Sequence, residues 1–302
     1  MAKVIRNLRE DQKEFQKIFS GLCDSKSSWQ VWADFIECAA ISISNSVDRD
    51  SSVRKDREER YIRIMKTYRK KEQECFPQLF AVMVNAMEKN PDQDFLGEMF
   101  MALELGNHWK GQFFTPYNIC RMMAKLQADG AKQMVESRGW IGINDPACGA
   151  GALLIAARNE FLEQGIGYRQ TLYVCQDIDH VAGLMCYIQL SMLGCAGYVV
   201  IADTLANPLT GVSLLLPAFN ENQDVWFMPM IYDAVWQTRV RLEITGRTLR
   251  GLLQTHENAV ATPQEAEEQA DPSDDKGEPE PPVKGLETEV LAADETGQLK
   301  FF

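Results

Sequence analysis

The sequence predicts an α/β protein built on a parallel sheet and preceded by a helical region. From Trp140 onward, the short β-branched runs "WIGIN", "TLYVCQ" and "GYVVIA" alternate with the helical patterns "GALLIAARNEFLEQG" and "HVAGLMCYIQLSMLG". Both helical patterns end in glycine, as helices commonly do. Strands that alternate with helices imply parallel strands joined by right-handed crossovers. The segment "DVWFMP" at residues 224–229 is a candidate fourth strand.

The part of the chain before residue 110 has the periodicity of helices. In "SWQVWADFIECAAISI" the apolar side chains recur every three or four residues, so that Trp29, Trp32 and Phe35 share one face after a candidate serine cap. Packing of a helical core explains this stripe better than ligand binding does. We therefore expect an all-helical region over residues 1–110 and a core over residues 111–254.

The net charge of −12 is concentrated near the C-terminal end. From Thr255 onward there are 13 acidic and 3 basic residues, whereas the part before Thr255 has 30 and 28. The acidic segment contains several prolines and few apolar residues, so it cannot bury enough surface to order itself. We expect an acidic, disordered tail over residues 255–302. The nearly neutral body neither requires nor excludes a nucleic-acid partner.

Composition narrows the classes to which the protein can belong. No apolar run reaches the length of a membrane span, and the first residues lack the apolar stretch of a secretory signal, so we expect a cytoplasmic protein with no membrane partner. The eight cysteines include no CxxC pair and mostly lie in apolar patterns, which indicates buried free thiols. His108, His180 and His256 have no partner at metal-ligand spacing, and we expect no metal.

The stretch "DPACGAG", residues 145–151, follows the first predicted strand. Its small residues allow backbone N–H groups and a helix N-terminus to face a polar ligand. Close packing of a helix on the sheet is the alternative explanation. The dinucleotide pattern G-x-G-x-x-G is excluded because Leu154 takes the place of the third glycine, and no Gly-Lys-Ser/Thr follows to form a phosphate-binding loop.

Acidic residues follow the second and third predicted strands. Asp177 stands where a doubly wound sheet presents a carboxylate to ribose hydroxyls. One of Asp177 and Asp179 can instead cap the next helix, and we assign the ligand to Asp177 and the cap to Asp179. Asp203 is placed to accept a hydrogen bond from an exocyclic amine such as that of adenine, although turn formation by "ADTLANP" is a rival explanation.

The segment "GQFFTPYNIC" precedes the first strand. Thr115 is a good N-cap and Pro116 a natural first helical residue, so local folding alone explains both. The pair Phe113 and Phe114 either belongs to the core or flanks a binding cleft.

Four segments, "GQFFTP", "DPACGAG", "QDID" and "ADTL", occur in this order with suitable spacing. Together they resemble the N6-adenine DNA methyltransferases that carry FTP before DPACGSG, including the modification subunits of type I restriction systems. The resemblance spans residues 92–236 and implies a Rossmann-like methyltransferase fold that uses S-adenosylmethionine.

The resemblance also implies a role for each segment. The FTP and DPACG segments would hold the methionine part of the cofactor, Asp177 its ribose, and Ile178 and Asp203 its adenine. The cofactor-binding residues implied in this way are Phe114, Thr115, Pro116, Asp145, Pro146, Ala147, Cys148, Gly149, Gly151, Asp177, Ile178, Asp203 and Thr204.

The chain departs from this family at the catalytic motif, Asn/Asp-Pro-Pro-Phe/Tyr, which grips the amine of the target adenine and stacks on the flipped base. No such tetrapeptide occurs in the sequence. "NPLT" begins correctly but lies too close to Asp203 to follow another strand. "MPMIY" follows the candidate fourth strand, but a thioether there replaces the amide oxygen. The catalytic residues are unknown, and the candidates are Asn207, Pro208, Met228, Pro229 and Tyr232.

Two functions fit these observations, and a methyltransferase for another substrate is a third. The first is an adenine-N6 DNA methyltransferase that acts with a partner protein in restriction-modification. The second is a non-catalytic, S-adenosylmethionine-binding regulatory or structural subunit of a DNA modification complex. Few residues separate Met230 from the acidic tail, so we expect a truncated sheet whose open edge is covered in a homo- or hetero-oligomer. Because the tetrapeptide is missing, we expect the isolated chain to transfer little methyl to DNA.

Overall fold

The computed structural model of the protein describes residues 8–24, 26–48, 50–105, 114–260 and 298–300, with the backbone alone for residues 251–260 and 298–300. Within these ranges a helical region is followed by a layered arrangement of helices and a sheet. None of the helices in these ranges is long and apolar enough to cross a membrane.

The helical region comes first in the chain. Its helices in the described ranges are α1 (Glu10–Leu22), α2 (Ser28–Val47), α3 (Ser51–Met65), α4 (Lys70–Gln73), α5 (Cys75–Lys89) and α6 (Phe95–Ala102). Side-chain oxygens of Ser27, Asp50 and Asp94 accept the first free N–H groups of α2, α3 and α6. Trp32 and Phe35 are almost fully buried, with their rings edge-on to Phe15. The prediction of a helical N-terminal region is confirmed.

Next come α7 (Tyr117–Gln127), α8 (Ala131–Arg138), β1 (Ile141–Asp145), α9 (Ala152–Glu163), β2 (Thr171–Asp177), α10 (His180–Met192) and β3 (Ala196–Ile201). The three strands are parallel, with β2 between β1 and β3. Every residue of β2 and β3 is buried, as expected for strands covered on both faces. The predicted α/β class with alternating strands and helices is confirmed.

After β3 the chain turns back along the sheet. It forms a hairpin of β4 (Thr210–Ser213) and β5 (Leu216–Ala218), and then β6 (Asp224–Phe227), which pairs antiparallel to β3. A parallel pairing requires a crossover connection, and residues 202–223 hold a hairpin instead. The candidate fourth strand exists, and it is the antiparallel member of an otherwise parallel sheet. As a result β6 ends at the edge where β3 begins.

Residues in the C-terminal part of the chain cover the second face of the sheet. A 3-10 turn (Pro229–Tyr232) leads into the long helix α11 (Ala234–Val260). Trp236 of α11 is fully buried, with its ring 5.8 Å from that of Trp140. The Tyr198 hydroxyl donates to the Leu214 carbonyl at 2.9 Å and so holds the hairpin on the same face. The hairpin and the first part of α11 therefore cover this face of the sheet, where a doubly wound fold has a second layer of helices.

A short strand, β7 (Gln298–Lys300), pairs parallel to β1, and the order of the described sheet is β6-β3-β2-β1-β7. In the usual doubly wound order the fourth strand lies beside the first, so β7 takes that place. Of the predicted disordered tail, residues 255–260 belong to α11 and residues 298–300 to β7. The rest of that prediction falls on residues outside the described ranges.

Arg57 of α3 attaches the helical region to the sheet. Its side chain is buried, and it donates to the Val225 carbonyl of β6 at 2.8 Å. The guanidinium also pairs with Asp48 at 3.1 Å and lies 3.7 Å from the centre of the Trp226 ring. Because its charge is buried, this network fixes the position of the helices relative to β6.

Candidate functional site

A cavity of about 240 Å³ opens where β1 and β2 end. In doubly wound sheets, ligands bind in the crevice at the carboxyl ends of the strands. The cavity is lined by Phe114, Thr115, Cys120, Met123, Asp145, Ala147, Cys148, Gly149, Ala150, Ala152, Leu153 and Asp177. The structure thus brings together residues from three of the four sequence segments, which are far apart in the chain.

The loop between β1 and α9 forms the floor of the cavity. The Cys148 N–H donates to the Gln176 carbonyl at 3.0 Å, and the Gly149 N–H donates to Asp177 Oδ2 at 2.7 Å. Gly149 and Gly151 have φ of 53° and 90°, a region that favours glycine. Gly151 is the N-cap of α9 and supplies no side chain to its first N–H groups. The helix terminus therefore presents free donors to an anionic group such as a carboxylate.

Phe114 and Thr115 form one wall of the cavity. The Phe114 ring lies against Gly149, where an added Cβ would be only 3.2 Å away, and its centre is 5.1 Å from that of the Phe100 ring. Helix α7 begins one residue later than predicted, because Pro116 is its N-cap and accepts the first backbone bonds. Thr115 consequently faces the cavity instead of capping the helix. Phe113 lies outside the described residues.

Two carboxyl groups, those of Asp145 and Asp177, line the cavity and are more than nine-tenths buried. Burial raises the pKa of Asp145 to about 6, although a bond from the Ala147 N–H lowers it in part. Burial also raises the pKa of Asp177, against bonds from the Asp179 and Gly149 N–H groups. In the described part of the chain neither carboxylate has an ion-pair partner. The cavity is therefore suited to a ligand that carries positive charge.

The residues after β3 lie beside the cavity and do not line it. Asp203 Oδ1 accepts from the N–H groups of Leu205 and Ala206, so its carboxylate forms the turn that was the rival explanation. Thr204 donates to the Pro146 carbonyl at 2.6 Å and joins this turn to the β1–α9 loop. Ile178 is 70% exposed. Asp179 accepts from the Ala182 N–H and caps α10, as predicted.

The catalytic candidates lie at opposite ends of the sheet. Asn207 stays near the end of β2, where its carbonyl accepts from the side chains of Gln176 and Gln223, and Pro208 follows it. The "MPMIY" segment lies instead where β3 begins, and the Met228 N–H donates to the Gly197 carbonyl. Because β6 runs antiparallel, Met228, Pro229 and Tyr232 are not brought to the cavity, which corrects their assignment as catalytic candidates.

Sequence reasoning missed part of the cavity wall. Cys120 and Met123 of α7 line it together with Leu153 of α9. Cys120 and Met123 are three residues apart and thus share one face of a helix. That spacing, directly after the FTP segment, is the signal that could have identified them.

Residues 92–235 match the family model described as N-6 DNA Methylase. No curated protein matches the chain.

Among solved structures, the chain is similar to a Listeria monocytogenes protein assigned as a class I S-adenosylmethionine-dependent methyltransferase, with 16% identity, 69% of this chain covered and a TM-score of 0.42. It is also similar to the methyltransferase subunit of a type I restriction-modification system from Streptococcus thermophilus, with 16% identity, 66% coverage and a TM-score of 0.34. The chain spans 58% and 41% of the lengths of these two chains.

The glycine at the start of α9 provides a test of how tightly the loop is packed. A Cβ at Gly151 would lie 3.0 Å from Cys186 Sγ, whereas Gly165, which also has positive φ, has nothing within 4 Å. We measure the free energy of unfolding in urea. Gly165→Ala should lower it by about 1–2 kcal/mol, because alanine is disfavoured in left-handed backbone. Gly151→Ala should lower it by at least about 1 kcal/mol more, because overpacking against Cys186 adds to that cost. Equal losses would show that the contact with Cys186 relaxes freely.

Proposed function

Residues 92–235 of the chain belong to the N-6 DNA methylase family, and from this premise we propose that the cavity binds S-adenosylmethionine. One observation carries the proposal: two buried carboxyl groups and an uncapped helix N-terminus meet at a loop of small residues. S-Adenosylmethionine carries a sulfonium, an ammonium and a carboxylate close together, so it needs both kinds of partner.

The residues around the cavity fit the parts of this molecule. We assign the ammonium and sulfonium to the side of the cavity that holds Asp145, and the carboxylate to the start of α9. Asp177 already accepts two backbone bonds, but each carboxylate oxygen has a second lone pair for a ribose hydroxyl. An added Cβ at Gly149 would crowd Phe114, and the glycine keeps the loop close to the ligand.

We further propose that the substrate is adenine in DNA and that transfer depends on a partner. The bound cofactor supplies an activated methyl group, so the protein must mainly hold the target amine in line with it. The family's base-binding tetrapeptide is missing from the sequence, and "MPMIY" lies at the other end of the sheet. A second polypeptide of a restriction-modification complex, working with this chain in the cytoplasm, would supply the residues that grip the flipped base.

A specific observation also supports the second candidate, a subunit that binds the cofactor without transferring its methyl group. The antiparallel direction of β6 carries "MPMIY" away from the cavity, whereas the residues that line the cavity belong to other elements. The two candidates share the cofactor site and differ only in whether transfer occurs in the assembled complex.

Calorimetry with S-adenosylmethionine tests the binding site. We expect saturable binding, and a drop in affinity of about tenfold for Asp177→Asn, since losing a charge-assisted hydrogen bond costs about 1.5 kcal/mol. Asp50→Asn removes an exposed N-cap carboxylate of α3 and serves as the matched control, which should bind like the wild type. Absence of heat and of thermal shift at saturating ligand would refute the site.

The pH dependence of this binding reports on Asp145. The cationic ligand prefers the ionised carboxylate, so its affinity should be highest above the Asp145 pKa of about 6 and should fall as the pH drops through that value. Asp145→Asn should bind more weakly at high pH and keep only the part of the step that comes from Asp177, whose pKa is also raised, while thermal unfolding at each pH verifies that the variant stays folded. A wild-type affinity that is constant from about pH 5 to pH 8 would contradict the assignment.

Methyl transfer is expected to need more than this chain. With tritiated S-adenosylmethionine and duplex DNA, the isolated protein should transfer almost no label, because residues that hold the target base are lacking. Addition of proteins encoded beside it should restore N6-methyladenine, read by sequencing, if the first candidate holds. Continued absence of product in the assembled complex would favour the non-catalytic subunit, and robust transfer by the chain alone would overturn partner dependence.

A further inference from the structure

A buried amide lies directly behind the loop that forms the cavity floor. Gln189 of α10 is 0% exposed. Its Nε2 donates to the Ala150 carbonyl at 2.9 Å and to Asp94 Oδ1 at 2.8 Å, and its Oε1 accepts from the Leu96 N–H at 3.0 Å. Both hydrogens of the amide group are used, so Gln189 joins the loop to the N-terminus of α6.

Asp94 completes this connection from the helical region. It is 3% exposed, and it caps α6 by accepting from the Gly97 N–H at 2.9 Å on the same Oδ1 that accepts from Gln189. A Cβ at Gly97 would be 1.9 Å from Asp94 Oδ2, so a glycine is required for the carboxylate to occupy this position. The bond from the Gly97 N–H therefore fixes the Asp94 carboxylate independently of its bond with Gln189.

The bond to Ala150 acts on the part of the loop that shapes the cavity. The Ala150 carbonyl and the Gly151 N–H belong to one planar peptide unit. Gln189 holds that unit from one side, and the Cys148 carbonyl holds it from the other by accepting from the Gly151 N–H at 2.8 Å. The orientation of this peptide decides how the left-handed turns at Gly149 and Gly151 face the ligand.

We propose that Gln189 and Asp94 are positioning residues that set the affinity of the cavity for S-adenosylmethionine. The inference rests on the proposed function and deepens it, because it makes the helical region a working part of the cofactor site. An apolar side chain at residue 189 would fill the same space inside α10, whereas a buried amide is tolerated only when its bonds are satisfied. The packing of α10 does not require the three hydrogen bonds of Gln189, whereas the positions of the loop and of α6 depend on them.

The test combines two substitutions at each residue with a matched control. Gln189→Met keeps the length and removes all three bonds, and Gln189→Glu keeps only the acceptor for the Leu96 N–H. Asp94→Asn keeps an Oδ1 acceptor, whereas Asp94→Ala removes it. Tyr68→Phe, which deletes a buried hydrogen bond to Asp34 in the helical region away from the loop, controls for general destabilisation.

Titration calorimetry with S-adenosylmethionine should give a dissociation constant at least fivefold higher for Gln189→Met, Gln189→Glu and Asp94→Ala. Asp94→Asn and Tyr68→Phe should stay within twofold of the wild type. Hydrogen exchange of the ligand-free protein should be faster at the Gly149 and Gly151 amides in Gln189→Met and unchanged there in Tyr68→Phe.

Wild-type affinity in both Gln189 variants would overturn the proposal. The proposal would also be overturned if the loss of affinity were proportional to the drop in melting temperature in every variant, Tyr68→Phe included. That result would indicate a merely structural role. If the wild type itself does not bind, the proposed function fails. The exchange rates then decide separately whether Gln189 holds the loop, and unchanged rates at both amides would reject that as well.

Discussion

The structure depends on one backbone turn, the loop that joins β1 to α9. Its N–H groups are held by the Gln176 carbonyl and by Asp177, both at the end of β2, and it must pass through left-handed backbone at Gly149 and Gly151. Glycine adopts this backbone without strain, and the contacts with β2 fix where the turn lies. The parallel pairing of β1 with β2, the packing of α9 and the placement of α10 all contribute to that position.

The helical region contacts the sheet and the β1–α9 loop at two places, and the two contacts have different roles. Arg57 joins α3 to β6 by buried polar contacts far along the sheet from β1, which fixes the position of the helices as a body. Asp94 reaches the β1–α9 loop through Gln189 and acts on the local geometry of the cavity. Buried charged and amide groups of this sort are costly unless fully bonded, so each attachment tolerates little displacement.

The sequence allowed the parallel strands and their order along the chain to be predicted, because short β-branched runs and glycine-ended helices depend on local periodicity. It did not allow the direction of β6 to be predicted, since direction follows from whether the connection forms a helix or a hairpin. Seven predicted cofactor residues, such as Thr115 and Cys148, do line one cavity. Gln189 escaped detection because its partners are 39 and 95 residues away and no local pattern marks them.

The direction of β6 separates two tasks that the family combines in one sheet. The proposed cofactor cavity lies at the ends of β1 and β2 and at the start of α9. In the family that the sequence resembles, the base-binding tetrapeptide follows the fourth strand, which lies beside the first strand in a doubly wound sheet. In this chain that place is taken by the three residues of β7, whereas "MPMIY" is directed to the opposite end. The missing tetrapeptide is thus more than a local substitution, because placing Asn-Pro-Pro-Tyr at Met228–Ile231 would not bring it to the cavity.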